Sequence, residues 1–211
     1  MIGVIDYGVG NISSVIGALA SIGAPSKVVS CAEELGKYSG CILPGVGSFA
    51  ACMFTLEQDS WLEAIRKHAF DQQKPLLGIC LGMQVLADTG VEGSPDGEYT
   101  NGLGLIPGKV TSLREQGCGF RIPHVGWNDV MITGEPNTAT TGIESGSDFY
   151  FVHSYAITDI DPVFVLGTVH YGIQIPVIVR RGNVWGTQFH PEKSSKAGLR
   201  LLQNFAETTR C

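Results

Sequence analysis

Short apolar runs alternate with helix-patterned stretches through the amino-terminal part of the chain, and this alternation constrains the fold more than any other sequence feature. Ile2 to Ile5 reads as a buried strand ending at Asp6. Gly8 and Gly10 then make a turn, and Asn11 can cap a helix that ends near Gly23. Lys27 to Val29 is a second strand, and Cys41 to Leu43 a third, closed by Pro44-Gly45. The pattern predicts a helix from about Phe49 to Gln73, with His68 on its solvated side. Pro75 opens a fourth run, Leu76-Leu77-Gly78-Ile79, and a further helix begins just after Cys80. Strands that are apolar on both faces and separated by helices pack as a parallel sheet with helices on each side.

The second half has a different texture. Gly93 to Gly104 is polar and Gly-rich and reads as a loop. After it come runs rich in β-branched and aromatic residues: Lys109–Leu113, Trp127–Ile132, Phe149–His153, Val163–Val169, Ile175–Arg180 and Val184–Phe189. Several of these are expected to extend the sheet in mixed or antiparallel fashion. A last helix starts near Ser194 or Ser195 and carries Leu201, Leu202 and Phe205 on one face. No repeat or linker divides the chain, so residues 1–211 are expected to form one α/β domain: a mixed, largely parallel central sheet flanked by helices, with an additional antiparallel portion.

Charge and cysteine usage remove several function classes. The net charge is −6, and no run of Lys or Arg exceeds two residues, so nothing in the sequence marks a nucleic-acid or anionic-membrane footprint. Six cysteines are present and none forms a C-x-x-C pair, which offers neither a zinc site nor a dithiol redox motif. Gly8-Val9-Gly10 resembles the start of a dinucleotide fingerprint. Its third glycine position holds Ser13, however, and the second strand ends in Ser30-Cys31 rather than an acid. No metal and no cofactor are therefore expected. The amino terminus meets Asp6 too early for a signal peptide, and the apolar stretch Pro162 to Val179 is interrupted by Thr168, His170, Gln174 and Pro176. The expected setting is cytoplasmic, with free thiols.

Three motifs carry chemistry. Gly78-Ile79-Cys80-Leu81-Gly82 places a cysteine where an apolar strand gives way to a helix. A nucleophile at such an elbow sits on a strained turn, and the helix start supplies free N–H groups and partial positive charge beside the sulfur. A free thiol, with a pKa of about 8.5, needs such help to ionise near neutral pH. Gln188-Phe189-His190-Pro191-Glu192 follows a strand and offers a base, His190, with an acceptor two residues on, Glu192, to orient it. Pro44-Gly45-Val46-Gly47-Ser48 follows the third strand, and its N–H groups, with that of Leu81, can face a developing oxyanion.

Gly78-Ile79-Cys80-Leu81-Gly82-Met83-Gln84 and Gln188-Phe189-His190-Pro191-Glu192-Lys193-Ser194 resemble the signature blocks of the class I, triad-type glutamine amidotransferases, which have a flavodoxin-like sheet. Asp6-Tyr7-Gly8-Val9-Gly10-Asn11, Pro44 to Phe49, Pro123 to Asn128 and Tyr150 to Tyr155 narrow the resemblance to the glutaminase subunits of imidazole glycerol phosphate synthases. The resemblance implies a catalytic Cys80, His190 and Glu192, with Leu81, Val46 and Gly47 at the oxyanion hole. It further implies substrate contacts at Gln84, Gly45, Ser154 and Tyr155, and a partner-facing Asn11, Lys193 and His153. The implied partner is a cyclase with a (β/α)8 barrel, bound as a heterodimer. That partner receives ammonia from glutamine and forms imidazole glycerol phosphate and aminoimidazole carboxamide ribotide in histidine biosynthesis. The same glutaminase chemistry serving another synthase, a hydrolase acting alone on γ-glutamyl peptides and a thiol sensor on the same scaffold are the alternatives.

Overall fold

The structure, a computed structural model, describes residues 1–133 and 137–210; Cys211, one of the six cysteines, lies outside them. The first strands are β1 (Ile2–Ile5), β2 (Ser26–Val29), β3 (Gly40–Gly45) and β4 (Leu76–Cys80). Between and after them come helices α1 (Ile12–Ser21), α2 (Phe49–Gln58), α3 (Trp61–Arg66) and the single turn α4 (Leu81–Gln84). The remaining strands are β5 (Thr89–Gly90), β6 (Thr100–Asn101), β7 (Lys109–Ser112), β8 (His124–Ile132), β9 (Ser147–His153), β10 (Tyr155–Thr158), β11 (Val165–His170), β12 (Gln174–Arg181) and β13 (Val184–Thr187). Helix α5 (Ser195–Thr208) closes the chain.

Nine strands form one sheet in the order β2-β1-β3-β4-β13-β12-β11-β8-β9. The first five run parallel, and from β13 onward each neighbour is antiparallel. Every residue of β1, β3, β4 and β13 is buried, as uninterrupted apolar runs covered on both faces require. Alternate residues of each strand feed opposite sides. Ile2, Val4, Ile42, Leu77 and Ile79 join one core with Val15 and Leu19 of α1 and Leu201, Leu202 and Phe205 of α5. Ile5, Cys41, Leu43 and Leu76 join the other with Phe49 and Leu56 of α2 and Trp61 and Ile65 of α3. In contrast, β8 and β9 bury one face only. A second sheet, β10-β7-β5-β6, packs beside the first; the expected antiparallel portion is thus divided between the two.

The expected helix from Phe49 to Gln73 is three pieces. Asp59 ends α2, and Ser60 takes a left-handed conformation (φ 59°) that resets the helical phase before α3. The chain then widens into a π turn over Lys67–Asp71. That reset turns His68 inward, contrary to the solvated position read from one continuous helix. Its side chain is buried, with Nε2 donating to Pro75 O at 3.2 Å and Nδ1 facing Cys41 Sγ at 3.9 Å. The expected loop Gly93–Gly104 contains the short strand β6, and β10 follows β9 across the single residue Ser154, without a Gly or Pro to mark the corner. No helix among the described residues is long and apolar enough to cross a membrane.

Candidate active site

The carboxyl ends of β3, β4 and β13 lie side by side, with Gly45 paired to Cys80 and Thr187 to Ile79. Ligand sites of open α/β sheets form at this edge. Cys80 closes β4 with φ 56° and ψ −112°, a conformation costly for a residue with a Cβ, and α4 starts at the next residue. The elbow is held by glycines for want of space. A Cβ on Gly78 would stand 2.5 Å from Gly82 O, one on Gly45 would stand 2.7 Å from Gly82 N, and one on Gly82 would run into the backbone oxygen of Leu43.

His190 arrives from the neighbouring strand end and is clamped by its backbone. Its N–H donates to Tyr150 O at 3.0 Å, its carbonyl accepts from Ser194 Oγ at 2.6 Å, and Ser194 Oγ accepts from Tyr150 N at 3.0 Å. The ring donates from Nδ1 to Glu192 Oε1 at 2.8 Å, leaving Nε2 for the sulfur. Burial alone would push the imidazole down. The neighbouring Cys80 and Glu192 overcome that and raise its pKa to about 9, favouring an imidazolium beside the sulfur. The Cys80 sulfur also lies 3.9 Å from Val152 O.

Cys80, Leu81, Gln84 and His190 share a cavity of about 340 Å³ with Val46, Gly47, Glu92, Pro123, Val152, His153, Ser154 and Tyr155. Among these, the Gly47 backbone has φ 100°, a value glycine adopts without strain. The arrangement brings a thiol and an imidazole, the latter oriented by a carboxylate, to one cavity, a set of groups that can carry out acyl transfer from a small amide.

Comparison with known proteins shows the family. Residues 3–208 match the family model for class I glutamine amidotransferases. The chain belongs to that family. It is 47% identical to the imidazole glycerol phosphate synthase subunit HisH of Desulfitobacterium hafniense, over 98% of this chain and 94% of that one. The subunit of the same name from Moorella thermoacetica is 46% identical over 99% and 95%, and that of Caldanaerobacter subterraneus 42% over the full length of both. A crystal structure of a glutamine amidotransferase superposes with a TM-score of 0.76 at 23% identity, covering 100% of this chain and 99% of that one. PurLQS from Thermotoga maritima gives 0.74 at 21%, covering 98% and 97%. Both of these establish the amidotransferase fold.

Not every residue singled out in the sequence reaches the amidotransferase's cavity wall. Gly45 lies beneath it, packed on α4. His153 lines the cavity, but its ring is turned inward: Nδ1 donates to Tyr155 O at 2.9 Å and Nε2 meets His124 Nδ1 at 3.0 Å. Asn11 is half-buried, and Lys193 is exposed with its Nζ 5.9 Å from the Tyr150 ring centre. Two contributors were missed. Ser194 braces the His190 backbone. Glu92 brings a half-buried carboxylate into the cavity wall, its pKa raised by burial. Glu92 stands in a loop with no motif around it, so only its place in space reveals it.

Proposed function

We propose that this amidotransferase is the glutaminase subunit of an imidazole glycerol phosphate synthase, and that Cys80, His190 and Glu192 are its catalytic triad. Glutamine enters the cavity with its ammonium group toward Glu92 and the Gln84 side chain. The Cys80 thiolate attacks the side-chain amide carbon. The oxyanion that forms is held by the Leu81 N–H and by a donor from the Val46-Gly47 segment. His190, as imidazolium, protonates the departing nitrogen; ammonia leaves and a γ-glutamyl thioester remains on Cys80. Neutral His190 then takes a proton from water, the resulting hydroxide attacks the thioester, and glutamate and the thiolate–imidazolium pair are regenerated. Glu192 keeps the ring oriented and stabilises its charge throughout.

The observation that carries this reading is the strained Cys80 at the β4–α4 elbow, sharing one cavity with a histidine that Glu192 holds at 2.8 Å. Ammonia passes to a cyclase partner with a (β/α)8 barrel, bound as a heterodimer. The outer face of β8–β9 suits such a partner. Val125, Trp127 and Met131 lie exposed along alternate positions of β8, with Val152 opposite Val125, and Lys193 nearby. Asn11, before α1, contributes to the same docking. The unpaired thiols of Cys31, Cys41, Cys52, Cys80 and Cys118 agree with a cytoplasmic setting.

Ammonia release from glutamine, measured with and without the cyclase and the cyclase's ligand, tests the assignment. The expected result is weak release alone and strong release in the liganded complex. Robust release alone, unchanged by the partner, would instead favour a free-standing γ-glutamyl hydrolase.

A further inference from the structure

Gln188 lies between β13 and His190, has no exposed surface and does not reach the cavity, so it cannot touch a ligand there. Its backbone N–H donates to Val177 O at 3.0 Å, which fixes where the side chain starts. Its Oε1 accepts from Gln84 Nε2 at 3.0 Å, and its own Nε2 faces Cys80 Sγ at 4.0 Å. Gln84 Nε2 has a second acceptor in Tyr155 O at 2.9 Å.

These contacts set the direction of every group involved. Gln84 spends both N–H bonds on acceptors, and exchanging its N and O would turn its oxygen against two other oxygens. Its Oε1 is therefore the atom left for the cavity. Tyr155 O is held from the other side by His153. Because a carbonyl only accepts, His153 Nδ1 carries the proton, and its Nε2 must accept from His124 Nδ1. Donors thus converge on Tyr155 O, from His124 and His153 on one side and from Gln84 on the other, and from Gln84 a second line of donors runs through Gln188 to the sulfur.

We propose that Gln188 is a positioning residue for the glutamine site, a role that rests on the function given above. Its carboxamide oxygen locks Gln84 with oxygen toward the cavity, so that Gln84 recognises a donor such as the substrate's ammonium group. Its NH2 group points a donor at the Cys80 sulfur and so fixes the sulfur's place at the cavity wall, with the thiol proton toward Val152 O.

Gln188→Glu and Gln188→Met separate the two contacts. The glutamate keeps an acceptor for Gln84 and removes the donor to sulfur; the methionine removes both. In the complex with the cyclase, Gln188→Met raises KM for glutamine about tenfold, whereas Gln188→Glu leaves KM within about twofold of wild type. In both variants alkylation of Cys80 by iodoacetamide at neutral pH, read by peptide mapping, slows, by about tenfold in Gln188→Glu. Wild-type KM and a wild-type alkylation rate in either folded variant would overturn the proposal. So would equal rises in KM in both variants with a wild-type alkylation rate, the signature of lost packing alone. Alkylation needs no glutamine, so a failure of the glutaminase reading would appear separately, as ammonia release that survives Cys80→Ala.

Discussion

Nδ1 of His190 lies 2.8 Å from Oε1 of Glu192, with the two side chains only 5% and 1% exposed. Water cannot screen this pair, and Cys80 on one side with the Glu192 carboxylate on the other outweighs the burial that would discharge the ring. The position of one proton therefore governs both activity and stability here.

The first prediction concerns pH. The folded pKa of His190, about 9, lies above the unfolded value of about 6.5, so its contribution to stability is complete below the unfolded value and is lost as pH rises through about 9. Loss of the proton also removes the acid that the departing ammonia needs. The alkaline limb of the kcat/KM profile should lie near pH 9. Glu192→Gln should move it down by about one unit and flatten the alkaline stability loss. Rate profiles and urea melts between neutral pH and pH 10 read both.

At the acid end three other histidines act in the opposite sense. Burial lowers His68 to about 4, His124 to about 4 and His153 to about 3. The unfolded chain then binds more protons below about pH 6.5, and stability should fall as pH falls from there toward the folded values. His68→Leu should make the slope of stability against pH, measured between pH 6 and 5, shallower by up to about 1.4 kcal/mol per unit.

At the elbow, space is the limit. A methyl group on Gly82 meets the Leu43 backbone, which cannot swing aside as a side chain would. Gly82→Ala should destabilise the protein by about 3 kcal/mol in urea melts and abolish ammonia release, because the strain displaces the residue next to the nucleophile.

On the docking face, Trp127 is 53% exposed and sits opposite Tyr150. Trp127→Ala should weaken cyclase binding by about 2 kcal/mol in calorimetry while leaving the melting curve of the isolated chain nearly unchanged. Equal affinity would move the interface elsewhere.

Much of this arrangement could be read from residue order. The strands β1, β3, β4 and β13 announce themselves because both faces are buried and their apolar runs are continuous. Cys80 and His190 stand out because each follows such a run at a turn. Other features depended on information that is not local. The break at Ser60 needed one left-handed residue in a helix-favouring stretch, and His68 changed sides with it. Strand β10 carries no turn residue before it. Glu92 joins the cavity wall, and Ser194 meets Tyr150 of β9, only when segments far apart in sequence come together.

The most direct measurement is mass spectrometry of acid-quenched complex during glutamine turnover. A γ-glutamyl adduct on the Cys80 peptide, absent from Cys80→Ala and accumulating when water attack is slowed by Glu192→Gln, is the predicted result. Ammonia release continuing near the wild-type rate in Cys80→Ala, with no adduct on any peptide of the wild type, would contradict the account.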